Sequence, residues 1–195
     1  MQFEEVVRRR RIVRNYTDEP VEPAALERIL DAARRAPSAG FSQGQAFIVI
    51  TEPQRRRRIA EIADEPAYVA EGFDPWISRA PVHVVVCTSE QIYRDRYAEP
   101  DKTSAGNADD WPVPYWWVDA GAAMMLLLLA AVDEGLAAGF LGSHAMPELK
   151  SELGIPEAVE PIGIVTIGHA APDRRSGSLA RGRKNAAEVV RRETW

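Results

Sequence analysis

Asp119-Ala-Gly-Ala-Ala-Met-Met-Leu-Leu-Leu-Leu-Ala-Ala-Val-Asp133 is the stretch on which the reading of the fold turns. Its apolar run, Ala120 to Val132, is closed by an aspartate at each end. A membrane-spanning helix needs about 20 such residues, so the run predicts a buried core helix, extended here to Tyr115–Gly135. That helix is apolar nearly all round, which places it at the centre of the fold or against a subunit interface. The second decisive stretch is Val82-His-Val-Val-Val-Cys87, directly after Pro81. A short valine-rich run bounded by turn signals predicts a strand buried on both faces.

Working outward, a short helix is expected over Phe3–Arg11. A second opens at Val21 and Pro23, spaces Leu26, Ile29, Leu30 and Ala33 along one face, and stops at Pro37. Ala46–Thr51, Ala138–Leu141 and Ile162–Gly168 read as strands. Pro53 starts a helix whose exposed face carries Arg55 to Arg58, and Pro147–Leu153 gives a helical turn or two. Helices outnumber strands, in an α+β order with non-local pairing. Ser89–Pro114 is polar, aromatic-rich and long for a connection, the signature of a lid or binding loop. The tail, 171–195, carries Arg181 and Arg183 before a short helical pattern.

The chain has 195 residues, 46% of them hydrophobic. That is one ordinary globular domain, not a disordered chain, a collagen or a disulfide scaffold. Cys87 is the only cysteine, and His83, His144 and His169 lie too far apart for metal-ligand spacing, so no metal is expected. A lone thiol fits a reducing compartment, the cytoplasm. The polar N-terminus, Met1 to Glu5, lacks the apolar segment of a signal peptide. The net charge of −5 argues against nucleic acid as a partner.

No dinucleotide fingerprint, phosphate-binding P-loop, HExxH or GxSxG is present. Difficult chemistry must then come from a bound cofactor. The strongest charge feature is Arg10-Arg11-Ile12-Val13-Arg14, with Tyr16 two residues on. On a helix end it would gather three guanidinium groups, which suits phosphate; a solvated basic face has the same spacing. Arg55 to Arg58 and Arg181-Gly182-Arg183-Lys184 are equally open to that plainer reading. Cys87, ending a buried strand, reads as core, and Met124 and Met125 as packing.

Taken in order, Arg10-Arg11-x-x-Arg14-x-Tyr16, then APSAGFSQGQAFIVI (36–50), DAGAAMMLLLLAA (119–131), GLAAGFLG (135–142) and the Arg-rich tail resemble the FMN-dependent nitroreductase family. The resemblance covers nearly the whole chain. It implies one FMN-binding domain over 1–195: an α+β sandwich with a central mixed sheet flanked by helices, in an intertwined homodimer. It implies two FMN molecules at the subunit interface, reduced by NADH or NADPH. The flavin then passes electrons to a planar acceptor, a nitroaromatic or a quinone, by a ping-pong mechanism, and no side chain is catalytic, because the chemistry is at flavin N5.

By the same resemblance, Arg10 and Arg11 match the N-terminal phosphate-binding pair, and Arg14 the cation near the pyrimidine edge or ribityl chain. Pro37, Ser38, Ala39 and Gly40 match the loop beside the isoalloxazine ring. Leu141, Gly142 and Ser143 match the turn whose N–H points to N5, with His144 next to it. Arg181 and Arg183 match the residues closing over the phosphate. Three departures stand out: Ile12 where serine is common, Phe41 where asparagine is frequent, and Gly44-Gln45 in place of Pro-Trp. Segment 89–114 would be a lid, with Tyr93, Tyr97 and Trp111 against the substrate and Arg94, Arg96 and Lys102 selecting an anionic one. Rival readings within the superfamily are a flavin destructase and a reductive dehalogenase; outside it, a flavin store or sensor without turnover.

Overall fold

The computed structural model describes residues 1–174 and 176–195. The helices are α1 (Phe3–Arg9), α2 (Pro23–Arg34), α3 (Pro53–Ile62), α4 (Glu65–Ala70), α5 (Trp76–Arg79), α6 (Glu90–Tyr97), α7 (Tyr115–Asp133), α8 (Leu149–Glu152) and α9 (Ala186–Val189). The strands are β1 (Gln45–Ile50), β2 (Val82–Thr88), β3 (Ala137–Gly142) and β4 (Glu160–Gly168). They form one sheet in the order β1-β2-β4-β3, antiparallel at every pairing. The α+β expectation holds. The parallel component of the expected mixed sheet is, among the described residues, a single bridge from Ile12 to Ala138.

β2 is buried along its whole length because both faces are covered. Val82, Val84 and Val86 meet Leu26 and Ile29 of α2 and Leu127, Leu128 and Ala131 of α7. Val85 and Cys87 point the other way, into Ile59, Trp76, Ile77, Leu149 and Ile164. This is the period-2 alternation of a strand between two apolar layers. Burial pushes the Cys87 thiol up to about 11, as fits a core residue.

α7 is long and apolar enough to cross a bilayer by length and composition. It packs instead across the sheet through Ala120, Ala123, Leu127, Leu128 and Ala131. Its opposite face, with Trp117, Val118 and Met125, stays exposed.

Two expectations need correction. α1 ends at Arg9, not Arg11, because the β-branched Ile12 and Val13 are taken up by β3: Val13 N donates to Ala138 O at 3.0 Å. Segment 89–114 is not one loop but α6 followed by 3-10 turns at Pro100–Ala105 and Ala108–Asp110.

Candidate functional site

Segment 10–17 leaves α1 extended and runs along the β3 edge of the sheet. Ile12 bridges Ala138, Tyr16 bridges Ala170, and Arg14 N donates to Asp173 Oδ2 at 2.8 Å. Tyr16 is core: its hydroxyl meets Thr166 Oγ1 at 2.7 Å, and burial pushes its phenol far up. The close approach of this segment requires Gly139, where a Cβ would stand 2.5 Å from Val13 O and 2.9 Å from the Trp76 ring.

An extended backbone cannot gather three guanidinium groups at one point as a helix end would. Arg14 is half-buried, 5.9 Å over the Trp76 ring, and shares a cavity of about 90 Å³ with Glu65, Tyr68, Phe140 and Leu141. It also borders a cleft of about 340 Å³ walled by Tyr68, Phe73, Trp76 and Arg174. Arg11 lines a different hollow, about 160 Å³, with Val132, Leu136 and Ala138. Arg14 and Leu141 therefore come together, and Arg11 does not join them. Gly142 and Ser143 follow Leu141 directly, with the exposed His144 ring folded over Gly142.

The loop at Pro37–Gly44 stands at the other edge, where it feeds β1. Gly40, Phe41 and Gln43 all have positive φ, of 61°, 57° and 52°. For Phe41 and Gln43 that costs on the order of 1–3 kcal/mol each. The loop is tied internally by Ser42 Oγ to Ala39 O (2.6 Å) and Gln43 N to Ser38 Oγ (2.9 Å). Externally, Ala39 N donates to Asp119 Oδ2 at 2.8 Å and Arg96 Nε to Gly40 O at 2.9 Å. Phe41 is 74% exposed.

The three aromatic residues expected to face substrate do not share one role. Tyr93 is wholly buried, with its hydroxyl 2.8 Å from Asp119 Oδ2, and has no surface to offer a substrate. Tyr97 and Trp111 are half-buried and meet edge to face at 4.6 Å. The cations of the segment are engaged: Arg94 with Glu90 and Asp109, Arg96 with Glu99 and Asp101, Lys102 over the Tyr97 ring. For Arg94 and Arg96 the expectation that they select an anion loses its basis; Lys102, among the described residues, has no carboxylate within ion-pair distance.

Arg181 and Arg183 lie on an arm, 177–195, that is exposed throughout and whose hydrogen bonds, among the described residues, reach no further than the adjoining Ser176. β1 and β3 are the two outer strands, three intervals of about 4.8 Å apart, or roughly 14 Å. Pro37–Gly40 and Leu141–Ser143 lie at the same end of the sheet but on opposite edges. Sequence reading missed Asp119 and Trp76. The one available signal for Asp119 was an acid at the head of a wholly apolar helix.

The order of these pieces matches a known pattern. The family model described as "Nitroreductase family" matches residues 7–169. The chain belongs to the nitroreductase family. It is 33% identical over 167 residues to a Bacillus subtilis protein described as "FMN reductase [NAD(P)H]", covering 83% of this chain and 63% of that one. A Haliscomenobacter hydrossis protein described as iodotyrosine deiodinase is 26% identical over 200 residues, covering 93% of this chain and 85% of that one. Among solved structures, a nitroreductase family protein from Clostridium difficile 630 superposes with a TM-score of 0.69 at 26% identity, with full coverage of both chains.

Proposed function

We propose that this nitroreductase-family chain is an FMN-dependent oxidoreductase. It would take electrons from NADH or NADPH and pass them to a planar acceptor, a nitroarene or a quinone. The carrying observation is Arg14: it is half-buried over the Trp76 ring, borders an aromatic-walled cleft and, among the described residues, has no carboxylate within ion-pair distance. Arg10, Arg11, Arg181 and Arg183 are likewise without a carboxylate partner, a state they share with surface arginines such as Arg55 and Arg57. Unpaired guanidinium groups fit an anion supplied from outside, and the aromatic walls beside Arg14 fit a planar ring. The residues present therefore suit FMN.

Arg10, Arg11, Arg181 and Arg183 would hold the phosphate. Arg14 would stabilise negative charge on the pyrimidine side of the ring. The Leu141-Gly142-Ser143 turn would offer backbone N–H groups, and Pro37–Gly40 a flat backbone surface. Bound FMN would supply two-electron transfer at its N5. Tyr97 and Trp111 are the candidates for a wall of the acceptor site.

We further propose that the working form is a homodimer in the cytoplasm. One chain holds Arg14 and Leu141 at one sheet edge and Pro37–Gly40 at the other, and a second copy would bring one chain's Arg14 edge to the other's Pro37–Gly40 loop. The exposed α7 face and the arm's Leu179 (70% exposed) and Val189 (61%) supply apolar surface for it.

The test is direct. The purified protein should be yellow, bleach anaerobically with NADH or NADPH, and recover colour with a quinone or nitroarene. A colourless protein that takes up no FMN would overturn the proposal. The deiodinase relative favours reductive dehalogenation as the second reading. It would show as halide release from a halogenated phenol by the reduced protein.

A further inference from the structure

The loop 38–43 holds an improbable backbone, and its four internal hydrogen bonds, from Phe41 N, Ser42 N, Ser42 Oγ and Gln43 N, do not tie it to the rest of the molecule. Two elements behind it do. Asp119 is on α7, more than a turn past its start and too far along to cap it. Asp119 as a residue is 8% exposed, and its carboxylate, among the described residues, has no cation within ion-pair distance. Both donors it accepts are neutral and share one oxygen: Ala39 N and Tyr93 OH, each at 2.8 Å.

Tyr93 belongs to α6, which meets the same loop three more times. Arg96 donates to Gly40 O. A Cβ at Gly40 would stand 2.7 Å from the Tyr97 ring, and one at Gly44 would stand 2.4 Å from the Tyr93 ring. Tyr93 and Tyr97, one helical turn apart, thus press on Gly40, which opens the left-handed stretch, and on Gly44, which follows it. A buried carboxylate without a counter-cation is a demanding choice for mere packing. Its position is explained by the amide it holds.

We propose that Asp119 and Tyr93 are positioning residues, and that α6 is a brace behind the 38–43 loop: the shared carboxylate fixes the Ala39 amide and thereby presents the Ala39–Phe41 turn to the cofactor. That the turn meets FMN rests on the function proposed above; that the brace holds the turn does not.

The test separates the two. Amide hydrogen exchange at Ala39 is followed in the full chain freed of FMN, and FMN dissociation constants are measured by fluorescence titration. Asp119→Leu removes the acceptor, Asp119→Asn keeps an acceptor oxygen without the charge, and Tyr93→Phe keeps the ring packing without the hydroxyl. Ala39 exchange should rise at least tenfold in Asp119→Leu, rise less in Tyr93→Phe, and return close to wild type in Asp119→Asn. The FMN dissociation constant and the visible circular dichroism of the bound flavin should change in the same order. If Asp119→Leu does not fold, Tyr93→Phe against Asp119→Asn carries the comparison. Unchanged Ala39 exchange in a folded variant that lacks the acceptor or the hydroxyl overturns the brace. Faster exchange with unchanged FMN affinity and dichroism overturns its role toward the cofactor. A wild type that binds no FMN overturns the proposed function and that role together, while Ala39 exchange still decides the brace.

Discussion

Gly139→Ala is the smallest change that should unseat the Arg14 segment. A Cβ there would lie 2.5 Å from Val13 O, 2.7 Å from Thr166 Oγ1 and 2.9 Å from the Trp76 ring, where ordinary contact begins near 3.4 Å. The first of these is backbone, so relief requires segment 12–14 to retreat from β3 by about 1 Å. Overpacking of this kind costs about 1–3 kcal/mol. The retreat also strains the bond from Val13 N to Ala138 O, a further 0.5–1.5 kcal/mol or so. A total of about 2–4 kcal/mol should lower Tm by roughly 4–15 °C for a chain of this size. Arg14 moves with its backbone, so FMN binding should weaken by about one to two decades if one charge-assisted contact is lost. Calorimetry and flavin titration read the two effects. Wild-type Tm and wild-type FMN affinity in Gly139→Ala would refute the docking of this segment on β3 as what places Arg14.

Arg10→Ala and Arg183→Ala should each raise the FMN dissociation constant about ten- to a hundredfold, with the larger effect at low salt; equal affinity across salt would remove both from the phosphate site. Val118→Glu, on the exposed face of α7, should shift the protein toward monomer with loss of flavin in sedimentation or light scattering, without unfolding it. Leu127→Glu should unfold the chain instead, because Leu127 is fully buried in the subunit's own core. His83 is fully buried, and desolvation pushes its pKa down to about 4. The unfolded chain therefore binds the proton first, and stability should fall as pH drops from about 6.5 to 4, by about 3 kcal/mol in all. His83→Gln should flatten denaturant midpoints over that interval, and an unchanged pH slope would remove His83 as its source.

What was legible in the sequence follows the reach of each signal. β2 was legible because it is buried on both faces, and α7 because its long apolar run exceeds any strand; uninterrupted apolar composition is a local signal in both. α6 was hidden by polar residues. Its clues were Tyr93 and Tyr97 at i,i+4 and two i,i+4 polar pairs, Glu90 with Arg94 and Gln91 with Asp95, which mark a helix too short to show an apolar stripe. α1 was read two residues too long because Ile12 and Val13 bond to β3, more than a hundred residues away, and no local propensity contains that contact. In α7 the apolar surround concealed which side faces the sheet. Only packing shows Leu127 inside and Val118 and Met125 outside.

The site was legible as a roster but not as an arrangement. Motif order lists Arg14, Pro37–Gly40 and Leu141–Ser143 as if they were neighbours. β2 and β4 run between β1 and β3, and this separates the loop from the other two groups by the width of the sheet. Asp119 was hidden for a related reason. A charge beside a long apolar run reads as its boundary, and its partners, Ala39 and Tyr93, lie 80 and 26 residues away. Both gaps arise from non-local contacts, which a motif cannot encode: it records which groups a site uses, whereas strand order decides how far apart one chain holds them.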